Sequence, residues 1–86
     1  MNELLHPQLP YRRREVLWAV RHEQARTVED VLARRTRALF LNARAAMEAA
    51  PEVARMLASE LGRSEAFREQ DLADFLGVAR GYVYEG

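Results

Sequence analysis

Leu39-Phe40-Leu41-Asn42-Ala43-Arg44-Ala45-Ala46-Met47-Glu48-Ala49-Ala50-Pro51-Glu52-Val53-Ala54-Arg55-Met56-Leu57-Ala58-Ser59-Glu60-Leu61-Gly62 is the stretch on which the secondary-structure reading turns. Its apolar residues recur three and four apart, the period of a helix with one buried face. Ala43, Ala46, Met47 and Ala50 share a face, and Val53, Met56, Leu57 and Leu61 repeat the pattern further on. Alanine, leucine, methionine, glutamate and arginine are all strong helix formers. Proline is tolerated in a helix's first turn, where its missing amide proton is no loss, so Pro51 is expected to separate a helix over residues 39–50 from the next one. Gly62 is expected to stop that second helix, because glycine accepts the left-handed conformation of a C-terminal cap. The small side chains of residues 43–50 let a neighbouring helix approach closely.

The same reading extends outward on both sides. Residues 1–10 carry Pro7 and Pro10 and read as an extended lead-in. A first helix is expected from Tyr11 or Arg13 to about Ala25, with Val16, Leu17, Val20 and Gln24 on its inner face and Trp18 off that stripe. Thr27 then opens a second helix. Its hydroxyl can accept from an unpaired first-turn amide, Glu29 and Asp30 suit the positive end of the helix dipole, and Asp30 completes a weakened capping box. Val28, Val31, Leu32 and Arg35 line one side, and the helix is expected to end or bend near Arg35-Thr36-Arg37. Beyond Gly62, Ser64 caps a last helix whose face is Leu72, Phe75, Leu76, Ala79 and Val83, weakened late by Gly77 and Gly81. No strand pattern appears. The fold class is all-α, a compact bundle of four to five short helices filling residues 11–86.

Composition narrows the function classes. Eighty-six residues suffice for one domain with a thin core. Without cysteine there are no disulfides, thiolate metal sites or cysteine nucleophiles. No apolar run approaches the roughly 18–20 residues of a membrane span, and the first residues lack a signal peptide's basic start and apolar stretch. The expected location is therefore cytoplasmic. Net charge is zero, whereas a nucleic-acid binder needs a basic excess to neutralise phosphates. The charge is nonetheless polarised: residues 1–44 hold nine Arg against five acids, residues 45–86 four Arg against eight acids. Two such poles can attract each other inside the fold, or one can face a partner. All thirteen basic residues are Arg, which with the abundant alanine reads as codon bias of a GC-rich genome.

The search for reactive groups finds little. His6 and His22 have no His or Cys at ligand spacing, so no metal site is expected and each reads as a solvated or hydrogen-bonded histidine. Ser59 and Ser64 lie in no nucleophile elbow, and the glycines are too scattered for a phosphate loop or a dinucleotide fingerprint. The adjacent acids Glu29 and Asp30 diverge by about 100° on a helix and do not converge on one site. Arg12-Arg13-Arg14 opens the first helix against its dipole; either the run is solvated, or an acid of the last helix or of a partner surface compensates it. Asp30 and Arg34 form a favourable i, i+4 pair. Arg35, on the apolar side, is expected to end in a structural ion pair with Glu15, Glu23 or an acid of the second half, because an unpaired buried charge costs several kcal/mol.

Residues 15–23, Glu15-Val16-Leu17-Trp18-Ala19-Val20-Arg21-His22-Glu23, and residues 25–37, Ala25-Arg26-Thr27-Val28-Glu29-Asp30-Val31-Leu32-Ala33-Arg34-Arg35-Thr36-Arg37, resemble the C-terminal cap of the FAD-dependent glycerol-3-phosphate dehydrogenases and alpha-glycerophosphate oxidases. Leu9-Pro10-Tyr11, Leu41-Asn42-Ala43-Arg44-Ala45-Ala46, Val53-Ala54 and Leu57-Ala58-Ser59-Glu60-Leu61-Gly62 fit the same pattern. The likeness runs from about Leu4 to Tyr82; residues 27–37 are its most specific part, and the alanine-rich remainder is generic. Within it, Glu15, Glu23, Thr27, Asp30, Arg34, Arg35 and Thr36 form the structural motif.

The resemblance implies a piece of a larger flavoenzyme that oxidises sn-glycerol 3-phosphate to dihydroxyacetone phosphate and passes electrons to quinone or oxygen. FAD would belong to the parent, with no cofactor in this fragment. The partner would be an upstream flavin and substrate domain of the same polypeptide, with residues 1–10 as the linker, and any membrane contact, on the cytoplasmic face of the inner membrane, would come only through that parent. No catalytic or cofactor-binding position is carried over. Met1 directly before the lead-in suggests a piece cut from a longer chain. Tyr11, Trp18 and Phe40, off the cleanest stripes, are the candidate interface, with a further wall of the domain's own core as the alternative. The competing class is a free-standing binding module, such as a helix-turn-helix nucleic-acid binder using the basic first half; pairing of its arginines with acids on the same helices speaks against it.

Overall fold

The helix on which everything else is assembled is the alanine-rich one. A computed structural model describes residues 3–35 and 38–83, without the side chains of Arg34, Arg35 and Val83. Four α-helices, α1 (Arg13–His22), α2 (Ala38–Leu41), α3 (Ala43–Leu61) and α4 (Glu65–Val83), and one π-helix (Asp30–Arg35) follow in chain order. No strand occurs among the described residues; a single bridge joins Leu4 and Arg12. The all-α class stands, with five helical elements. α3 touches all the others and packs most extensively on α4. Its central place explains its burial: Ala45, Ala46, Ala49, Ala50, Val53, Ala54, Met56 and Leu57 are all enclosed, a wider surface than one face. Phe75 and Ala79 of α4, Val16, Ala19 and Val20 of α1, Val28, Val31 and Leu32, and Ala38 and Leu39 of α2 join it in the core, with Leu5, Leu9 and Ala25 from the loops.

Several boundaries differ from the sequence expectation, each for a physical reason. Helix α1 stops at His22, not Ala25, because Gln24 takes a left-handed φ of 62° and the amides of Glu23 and Ala25 both end on the Ala19 carbonyl. The expected helix over residues 39–50 breaks at Asn42, whose side chain accepts from the Ala45 amide at 3.0 Å and caps α3. Pro51 does not open a new helix: it sits inside α3, with its side chain exposed. An interior proline loses one backbone hydrogen bond and costs about 3 kcal/mol in an isolated helix. The long buried stripe on both sides of it outweighs that cost. Gly62 ends α3 with a φ of 66°, and the Ser64 hydroxyl accepts from the Phe67 amide at 3.1 Å to start α4.

Residues 3–12 do not run straight. The Leu5 amide donates to the Tyr11 carbonyl, the Arg13 amide donates to the Glu3 carbonyl, and Leu5 and Leu9 are buried. His6 ties this loop to α3: Nε2 donates to Glu48 Oε1 at 2.6 Å while Nδ1 accepts from the Gln8 amide. Further along, Arg13 pairs with Glu52 and Arg21 with Glu60. Both partners advance eight positions in the same direction, so α1 and α3 run parallel. α3 and α4, joined by Gly62-Arg63-Ser64, form a helical hairpin. The three bridges each connect the basic first half to the acidic second half, so the two poles meet inside the fold.

Candidate interface and the helix-start motif

The tract around Thr27 concentrates the polar contacts that hold the domain's middle in place. The Thr27 hydroxyl accepts from the Asp30 amide at 3.1 Å. In return Asp30 Oδ2 accepts from the Thr27 amide at 3.3 Å and from the Arg26 amide at 3.0 Å. The next amide, that of fully buried Val28, donates to both oxygens of Asp71, at 3.1 and 3.2 Å. Asp71 comes from α4, forty-three residues away, and is itself buried. These carboxylates satisfy the orphan donors that every helix start exposes. Burial pushes the Asp71 carboxyl above its ordinary value; the Val28 amide opposes this, and Asp74 and Asp30 add to it.

Asp71 is the buried polar group that the sequence reading missed. The signal was there: Asp71, Phe75 and Ala79 stand four apart on one helical face, so an acid leads the buried stripe. Elsewhere in the motif, Glu15 Oε2 accepts from the Arg12 amide at 2.7 Å and completes the first turn of α1. Glu23 lies exposed at the end of α1. The side chains of Arg34 and Arg35, all of Thr36, and with them the expected Arg35 ion pair, lie outside the described residues. Arg13 of the basic run finds its acid on α3, in Glu52, not on the last helix.

Of the three candidate interface residues, Tyr11 is half-buried against the core. Trp18 is 58% and Phe40 51% exposed. They are not brought together. Trp18 stacks on His22 with ring centroids 4.0 Å apart, beside a shallow groove lined by Arg14, Leu17 and Arg21. Phe40 meets Tyr82 edge-on at 5.3 Å, next to Leu41, which is also exposed. Leu41, Tyr82 and His22 are surface residues that the sequence reading did not single out as interface.

Among the described residues, neither of the two grooves fits FAD. The groove beside Trp18 measures about 250 Å³ and a second, between Arg13, Met56 and Glu60, about 110 Å³. Cofactor and drug-sized ligands occupy clefts of about 300–1,000 Å³. Gly62 is a helix cap, and Gly77 and Gly81 lie within α4, so none belongs to a phosphate-binding turn. Among the described residues no three acids or histidines gather as metal ligands, and no helix is long and apolar enough to cross a membrane.

Fold and surface define a small helical module with exposed aromatic side chains on two separate faces. Residues 1–68 match the family model described as the C-terminal domain of alpha-glycerophosphate oxidase, and the chain belongs to that family. Among curated proteins it is 47% identical over 72 residues to the probable mitochondrial glycerol-3-phosphate dehydrogenase of Caenorhabditis elegans, covering 84% of this chain. The mitochondrial glycerol-3-phosphate dehydrogenases of Rattus norvegicus and Schizosaccharomyces pombe are 37% and 35% identical over 87% and 79% of it. The chain spans 10–11% of the length of these relatives. No solved structure matches it. The relatives overturn the expected cytoplasmic location, and with it the cytoplasmic face of the inner membrane: by name they are mitochondrial proteins.

Proposed function

We propose that this chain is the non-catalytic C-terminal accessory domain of an FAD-dependent glycerol-3-phosphate dehydrogenase. The family match over residues 1–68 carries the reading. In it, sn-glycerol 3-phosphate is oxidised to dihydroxyacetone phosphate on an upstream flavin domain of the same polypeptide, and this module packs against that domain. The small grooves, the polar groups committed to helix starts and the exposed aromatics all support a packing role. Trp18 and Phe40 are the candidate interface residues in this reading, one on each aromatic face, and Thr27, Asp30 and Glu15 hold the module's own shape.

The test is direct. The purified chain, incubated with FAD and then desalted, is expected to retain no flavin absorbance and to oxidise no glycerol 3-phosphate. Stoichiometric flavin retention or turnover would overturn the reading.

A further inference from the structure

We propose that the exposed face of α1 carrying Trp18 and His22 is the surface on which the upstream flavin domain seats; this rests on the reading above and adds to it which face is covered.

The argument begins where the chain enters. The Glu3 carbonyl accepts from the Arg13 amide at 3.0 Å, and Leu4 bridges to Arg12, so the entering backbone lies against the first turn of α1. Trp18 is five residues further along, about 7.5 Å at the helical rise. A body attached through Glu3 therefore begins beside the first turn of α1, where Arg13 also reaches Glu52 of α3. On its inner side α1 packs against α3 and the π-helix, through Val16, Ala19 and Val20. Its other side presents Trp18, 58% exposed, with His22 stacked on it. Tryptophan carries a large apolar surface with little rotamer freedom to lose, which is why it is enriched among residues that dominate binding energy. The occupant is available in kind, since about nine-tenths of each relative's length lies outside this chain.

The other aromatic face serves the purpose less well. Phe40, Leu41 and Tyr82 sit on α2 and α4, and neither helix contacts α1. Phe40 and Tyr82 already cover part of each other. Tyr82 also lies beyond residue 68, outside the family-matched segment, so a seat common to the family does not depend on it.

Hydroxyl-radical footprinting read by mass spectrometry distinguishes the faces. The probe is the C. elegans relative with the matching segment, a tenth of its length, exchanged for this chain, compared with the chain alone. Oxidation of Trp18, the chain's single tryptophan, and of His22 is expected to fall several-fold on attachment. Protection of Phe40 and Tyr82 with Trp18 still reactive would overturn the α1 seat and leave the accessory-domain reading intact. No protection on either face would overturn both. As a second readout, Trp18→Glu should leave the melting temperature of the isolated chain unchanged and lower that of the attached domain by several degrees. An equal effect in both forms would overturn the proposal.

Discussion

Asp71 crosses from α4 into the core to hold the amide of Val28. Replacing it by alanine leaves a buried donor without an acceptor, and we expect a loss of about 1–3 kcal/mol in urea denaturation. Asp71→Asn keeps a carbonyl oxygen for Val28 and removes the desolvated charge, so it should lie within about 1 kcal/mol of the wild type. The two also differ in pH dependence. Because the folded carboxyl titrates above its unfolded value, the folded state holds its proton longer. The group's contribution is greatest below the unfolded pKa and is lost as pH rises through the folded one. The stability of Asp71→Asn relative to wild type should therefore improve as pH climbs through that window, and a flat difference would contradict the assignment. Gln24 offers the opposite test. A side chain at φ 62° strains the end of α1, so Gln24→Gly should stabilise by about 0.5–1 kcal/mol, measured the same way.

At the scale of the element, α3 is continuous where proline would ordinarily interrupt it. Pro51→Ala restores the hydrogen bond to the Met47 carbonyl, while freeing the unfolded chain offsets part of the gain. We expect a net stabilisation of about 1–2 kcal/mol by urea denaturation. A loss would mean that α3 is shaped around the ring. The same helix shows what sequence discloses. Gly62, Ser64 and the pairing of Thr27 with Asp30 are legible because a cap is a local transaction among three or four residues. The unbroken run through Pro51 is not legible, since burial on several sides decides it and that burial comes from other helices. Asn42 hides because asparagine fits a helix interior poorly but not impossibly, and only its contact with Ala45 makes it a boundary. The π-helix hides for a different reason: lengthening the hydrogen-bond spacing by one residue leaves composition and apolar period almost unchanged. At the candidate surface, Trp18 and Phe40 stand off the core stripes and can be read. Leu41 and Tyr82 escape because a short helix has too few residues to show a period, and because α4 loses its amphipathic pattern toward its end.

For the whole molecule, charge placement and packing act together. Glu52 receives both Arg13 and Arg55, and these partners hold its carboxyl below the usual value against an opposing effect of burial. A depressed carboxylate contributes stability above its unfolded pKa and loses it as pH falls through the folded one. Glu52→Gln should therefore cost on the order of 1 kcal/mol at neutral pH and reduce the acid sensitivity of folding as pH falls below the ordinary glutamate range. Thermal melts at a series of pH values measure both. An unchanged acid limb would show that the bridge between α1 and α3 is incidental.

The parallel course of α1 and α3 has a temporal side. A polypeptide is made from its amino end, and domains settle as their parts leave the ribosome. The Arg21 guanidinium appears thirty-nine residues ahead of Glu60, its partner, whereas α3 and α4 are separated by one tight corner. Newborn α1 therefore has only the π-helix to pack against until α3 has emerged. Its greasy side must either wait in solution or lean on whatever has already been synthesised before it.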